Sequence, residues 1–141
     1  MKKQSGTIDN TSNLYLDYRL TFKFVTHASN RQAGTIRVYL VSQLDDSNYP
    51  NDCDGTESAE TWTDSEERDA VCILATEVTV DNTASATYGA IVPSVAAVFG
   101  GNLPAKFVIF VTTDCATSTN AALAAAGSQV PIKGSYLTVA A

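Results

Sequence analysis

The chain has 141 residues, 45% of them hydrophobic and 17% charged, with a formal net charge of -6. That length supports one domain with a core of its own, and the composition excludes wholesale disorder. The net charge and the scatter of its nine bases argue against nucleic-acid binding through phosphate contacts, since these need clustered Lys and Arg, and leave only a local basic patch open.

Residues 1–12 are polar and aperiodic and read as a flexible amino-terminal arm ahead of a single domain over 13–141. Extended, such an arm reaches about 40 Å at ~3.3 Å per residue. Lys2 and Lys3 near its tip are candidate partner contacts. Met1-Lys2-Lys3 resembles the start of a signal peptide, but the polar run Gln4–Asn10 replaces the apolar segment that should follow. No stretch approaches the ~18 apolar residues of a membrane span. The expectation is synthesis in the cytoplasm without a membrane anchor.

From Leu14 to Phe24, Leu14, Leu16, Tyr18, Leu20, Phe22 and Phe24 alternate with Tyr15, Asp17, Arg19, Thr21 and Lys23. Successive side chains of a strand point to opposite faces, so this segment predicts a long, half-buried antiparallel strand. A turn-rich connection, His27–Gly34, leads to a second alternating run over Thr35–Leu44. There Ile36, Val38 and Leu40 share one face and Thr35, Arg37 and Tyr39 the other.

Residues 45–69 break the pattern and hold ten of the fifteen acids with Arg68 as the single base. This segment reads as a long acidic loop, with one helical turn over Ser65–Arg68. Strands are predicted again over Ala70–Val80 and Ala84–Val92, joined by a turn at Asp81-Asn82-Thr83. Ser94–Phe99 fits a single helical turn stopped by Gly100-Gly101. Phe107–Val111 reads as a strand buried on both faces. Ala121–Ala126 reads as a weak strand and Val130–Val139 as the last one. About seven or eight strands, spaced by turn signals, predict an all-β antiparallel sandwich or jelly roll.

Catalytic equipment is sparse. His27 is the only histidine and lies at a strand end, where it reads as a turn residue rather than part of a nucleophile triad. One His and three dispersed Cys do not make a zinc tetrad. Asp52-Cys53-Asp54-Gly55 suggests a calcium loop, but the EF-hand register would place Pro50 first and Thr61 last, and neither carries a carboxylate. Calcium held by converging loops stays open as the alternative to a solvated acidic rim. Asp17, Glu77, Asp81 and Asp114 are the acids near the strands. Asp17 reads as one half of a cross-strand ion pair, with Arg37 or a neighbour of Arg19, rather than as a glycosidase carboxylate. The reading is a non-enzyme with no cofactor and no metal.

Cys72 sits in the apolar run Val71–Leu74 and reads as a small buried hydrophobe. Cys53 and Cys115 lie in loop-like sequence. Reduced thiols are expected, with a Cys53–Cys115 disulfide as the alternative. Trp62, the only tryptophan, lies inside the acidic loop. It either anchors that loop on the domain or faces a partner, as tryptophans at binding hot spots do.

At Phe99-Gly100-Gly101-Asn102-Leu103-Pro104, followed by Phe107–Val111 and Thr113-Asp114, the chain resembles small structural proteins of tailed bacteriophages. Leu14–Phe24 and Val38–Tyr49 are similar to the same group, although Phe107 stands where a tryptophan is expected and Cys53–Asp69 is longer than the pattern needs. The resemblance implies a sandwich or jelly roll serving as a capsid decoration (cement) protein on the outside of the virion. Its implied partners are the major capsid protein and further copies of itself, as a trimer or dimer. It carries no catalytic residues. The alternatives are a carbohydrate- or receptor-binding module of a tail or fibre, and a minor head-completion or tail protein.

Overall fold

The computed structural model describes residues 2–45, 47–50, 53–59, 65–115, 123, 128 and 130–135. Along them run β1 (Lys2–Gln4), β2 (Ile8–Asp9), β3 (Asp17–Val25), β4 (Gly34–Ser42), β5 (Ser58–Ala59), α1 (Ser65–Val71), β6 (Ile73–Val80), β7 (Thr87–Val92), α2 (Val95–Val98), β8 (Lys106–Thr113) and β9 (Ile132–Ser135). These strands pair antiparallel throughout. One sheet has the order β5-β1-β8-β4-β6, with β2 also on β8; the other is β7-β3-β9. The two sheets pack as the expected all-β sandwich. Among the described residues the strands divide six and three, not the four and four of a jelly roll.

The inner core follows from alternation. Tyr18, Leu20, Phe22 and Phe24 of β3 are buried, while Arg19, Thr21 and Lys23 are exposed on the other face. Register carries that parity to β7, where Leu20 opposes Val92, Phe22 opposes Ala90 and Phe24 opposes Tyr88. These side chains meet Ile36, Val38, Leu40, Val80, Phe107 and Ile109 of the larger sheet. Each fully buried residue of this size contributes about 1.5–3 kcal/mol of gross burial energy.

Strand β3 starts later than its alternation predicts. Asn10 is buried, and its side chain accepts from Tyr15 N–H (2.9 Å) and donates to the Tyr15 carbonyl (2.9 Å). This grip closes a turn in which Leu14 takes φ 49°. Leu14 and Leu16 are consequently 73% and 57% exposed rather than part of the core.

Strand β8 is buried on both faces, as expected, because the larger sheet has a second core on its outer side. Tyr39, Val41, Val108 and Phe110 of β4 and β8 are covered there by Tyr49, Cys53 and Cys72, with Val71 against them. Tyr39, on the face opposite Ile36, Val38 and Leu40, is therefore buried as well. The chain between β4 and β6 supplies enough apolar side chains to roof that face. Cys115 belongs to the inner core and Cys53 to the outer one, on opposite sides of the sheet, and all three cysteines are buried and outside any disulfide.

A flexible arm over 1–12 is also corrected. Lys2–Gln4 pairs with Phe110–Thr112, and Ile8–Asp9 pairs with Lys106–Phe107, so these residues form an edge of the larger sheet. Backbone hydrogen bonds supply the attachment that apolar content did not foretell. Buried Gln4 donates to Asp54 Oδ1 (2.5 Å) and Ser58 Oγ (3.2 Å), and the Tyr49 hydroxyl reaches Thr7 Oγ1 (3.1 Å). Gly55 closes the contact at φ 78°, where a Cβ would collide with Thr7 Oγ1 and the Tyr49 ring. The acidic segment is thus tied to the sheet at its described points rather than forming a plain loop, and it contributes β5 and α1.

The helical turn at Ser94–Phe99 is present as α2. Ser94 Oγ accepts from Ala97 N–H (2.9 Å), and Gly101 N–H closes the other end on the Ala96 carbonyl (2.7 Å). The weak strand at Ala121–Ala126 lies, except for the Thr26–Leu123 bridge, outside the described residues.

Candidate interaction surface

The residues singled out by sequence do not converge on one place. Lys2 and Lys3 stand in β1, and Lys3 Nζ lies 3.2 Å from Glu57 Oε1 across the β1–β5 edge. Both lysines belong to a folded sheet edge. Trp62 lies outside the described residues. Nδ1 of His27 accepts from the Ser29 and Asn30 N–H groups (3.2 and 3.0 Å), so its ring organises the turn after β3.

The carboxylates near the strands are each engaged locally. Asp17 accepts from Ala96 N–H and Tyr18 N–H, both at 2.8 Å. Desolvation raises its carboxyl, but hydrogen bonds from Ala96, Ser94, Tyr18 and Val95 outweigh it and hold the group below its ordinary value. The expected cross-strand pairing of Asp17 is corrected: it caps α2. Arg37 instead meets Glu77 at 2.7 Å and Asp114 at 3.7 Å. Asp81 accepts from the Tyr88 hydroxyl (2.5 Å) and Thr83 N–H (2.8 Å). Asp54 Oδ1 takes Gln4 Nε2 and Thr56 N–H (2.7 Å). Among the described residues no three His, Cys, Asp or Glu side chains gather as metal ligands.

The outer face of the three-stranded sheet has a different character. Arg19, Thr21 and Lys23 of β3, Ile91 of β7 and Lys133 of β9 are all exposed on it. Thr21 opposes Ile91 and Lys23 opposes Gly89, so the two strands present one even surface. Arg19 stands directly opposite Lys133. Like charges in that position destabilise a strand pair unless something neutralises them. Asp17 is the one acid in these three strands, and it is turned onto α2. A shallow depression lined by Arg19, Thr21, Pro131 and Lys133 lies between the strands. Ile91, at 51% exposure, adds an apolar group on the edge strand β7 beside Thr21.

This arrangement is suited to binding an anionic, relatively flat partner. Among the described residues it brings no general base or pair of carboxylates together. Sequence parity alone puts Arg19 and Lys23 on the side away from Phe22. Lys133 joins them only through the β3–β9 register, which links residues more than a hundred positions apart and has no local signal. No protein-family model, curated protein or solved structure matches this chain.

Proposed function

We propose that this is a structural protein of a tailed-bacteriophage virion that decorates the outside of the capsid as a cement protein. The phrase Phe99–Pro104 leading into the buried β8, together with the antiparallel sandwich, supports that reading. The observation that carries a binding role is the asymmetry of the sandwich. One outer face is roofed by the chain's own Tyr49, Cys53, Val71 and Cys72, while the other presents exposed Arg19, Lys23, Ile91 and Lys133.

A protein of this kind acts by recognising the assembled shell and not its free subunits. Its binding free energy then adds to shell stability by mass action, as for any ligand that prefers one state. Such a role needs a stiff body and a broad contact surface, and no chemistry. Quantitative mass spectrometry of purified virions tests it. Many copies per particle are expected; absence, or only a few copies, overturns the reading in favour of a minor head or tail component. Binding of the purified protein to expanded shells, compared with unexpanded ones, is the matching biochemical measurement.

A further inference from the structure

We propose that the free edge of β7 is a self-association site, where a second copy adds its own β7 antiparallel about a twofold axis at Gly89. In the three-stranded sheet β7 stands at one end and, among the described residues, pairs only with β3. Two bonds fix which of its backbone groups point outward. Thr26 N–H donates to the Ala86 carbonyl (2.9 Å), and Thr21 N–H, on the other side of β3, donates to the Pro131 carbonyl (3.1 Å). Backbone groups alternate sides along a strand, so Tyr88, Ala90 and Val92 are turned toward β3 like Ala86. Thr87, Gly89 and Ile91 therefore turn their N–H and C=O groups away from β3, where no described residue bonds them.

Bulges and charges keep an exposed edge from pairing with another strand. The edge strand of the larger sheet, β6, has both, with a register shift beside Val38 and Tyr39 and Glu77 in its middle. Strand β7 has neither: its six residues hold an unbroken register on β3 and include no charge and no proline. Laid antiparallel on a second copy with Gly89 against Gly89, Thr87 faces the partner's Ile91 and Ile91 faces the partner's Thr87. Each outward residue then exchanges N–H and C=O with one residue of the partner, and no outward group is left over. The next register in one direction sets Thr87 against Pro93, which has no N–H. The next in the other direction sets Ile91 against Ser85, which has left the strand at φ 53°. Side-chain parity agrees, with Thr87 and Ile91 on the outer face of both copies and Tyr88 and Ala90 on the inner. The nearest like charges of the outer face are the Lys23 pair, each opposite its own Gly89. They lie three strand spacings apart, about 14 Å at ~4.8 Å each, beyond the ~8 Å screening length of physiological salt. The contact is isologous and closes as a dimer. It does not depend on the virion reading, and residues 87–92 supply all of it.

Sedimentation velocity of the full chain across a concentration series is the first measurement. Conversion of the 14.9 kDa monomer to a particle of twice that mass is expected. A monomer even at millimolar chain concentration overturns the proposal.

Three variants then test the edge and its register. Gly89→Pro removes the outward N–H at the axis and puts a ring in its place, while the bonds to β3 belong to its neighbours. It is expected to stay monomeric. Thr87→Lys with Ile91→Lys sets lysine against lysine at both outer pairs and should weaken dimerisation by about tenfold or more. Thr87→Glu with Ile91→Lys sets opposite charges at the same two pairs and should dimerise as tightly as the parent. Within one chain these positions are four residues apart on a strand, about 13 Å at ~3.3 Å per residue, so the exchange of sign acts only between copies. A dimer that the two lysines leave unweakened overturns the proposal, as does a Glu–Lys variant no tighter than the Lys–Lys one. Should Gly89→Pro fail to fold, that second pair of variants still decides, since Thr87 and Ile91 are exposed.

Discussion

At the residue scale, the informative groups are polar side chains that hold the backbone in place. Asp17 shows how a charged residue on a strand's outer parity can be claimed by a neighbouring helix instead of by solvent. Its carboxyl titrates below the unfolded value, so its stabilisation is whole above about pH 4 and is lost as pH falls through the folded value. An Asp17→Asn variant keeps an oxygen acceptor but cannot titrate. Its melting temperature should fall less between about pH 5 and about pH 3 than that of the parent. Parallel curves would show that Asp17 is not a linked group. The thiols make a second prediction. Burial pushes Cys72 up to about 12 and also raises Cys115, and Cys53 is equally enclosed. Because the thiolate is the reactive form, a thiol reagent at mildly alkaline pH should find almost nothing in the folded protein and three groups after denaturation. One thiol reacting at full rate before unfolding would contradict the two-core packing.

At the scale of elements, the amino-terminal strands carry more than their size suggests. β1 and β2 complete the edge of β8, Ser5 exchanges hydrogen bonds with Ile109, and Thr7 N–H reaches the Gly55 carbonyl at 2.8 Å. Deleting residues 2–9 strips that edge and releases the segment around Tyr49 and Gly55. A loss of about 3 kcal/mol is expected, a drop in melting temperature of roughly 6–12 °C for a chain of this size. An unchanged melting temperature would show that the strands merely rest on the sheet.

At the scale of the whole molecule, the segment between β4 and β6 is the roof of a second core rather than an appendage. Tyr49, Cys53 and Cys72 shield Tyr39 and Phe110, and the Arg68 guanidinium lies over the Tyr39 ring. The sandwich and its roof should therefore melt together. Tyr49→Ala is expected to destabilise the protein by about 3–5 kcal/mol, the range for truncating a buried aromatic, while leaving a single transition by circular dichroism. A separate low-temperature step would mark the roof as an independent unit.

Alternation over Tyr18–Phe24 and the unbroken apolar run of β8 determined the antiparallel sandwich from sequence alone, because strand parity is a local property of the backbone. The α2 turn was equally legible, since Ser94 and the glycine pair act within a few residues. What sequence could not decide depends on distant partners. Asn10 ends the alternation at Leu14 and Leu16 by gripping Tyr15 in a turn that periodicity does not register. The arm became two strands because β8 had an open edge for its backbone groups, and backbone hydrogen bonding is blind to side-chain composition. Tyr39 was buried because Tyr49, Cys53 and Cys72 arrive from a stretch whose charges conceal its few apolar residues. The basic face itself was half visible: parity turned Arg19 and Lys23 outward, but only the β3–β9 register set Lys133 against Arg19. Tertiary structure alone made that pairing, because a strand's register is fixed by the neighbour it meets and not by its own sequence.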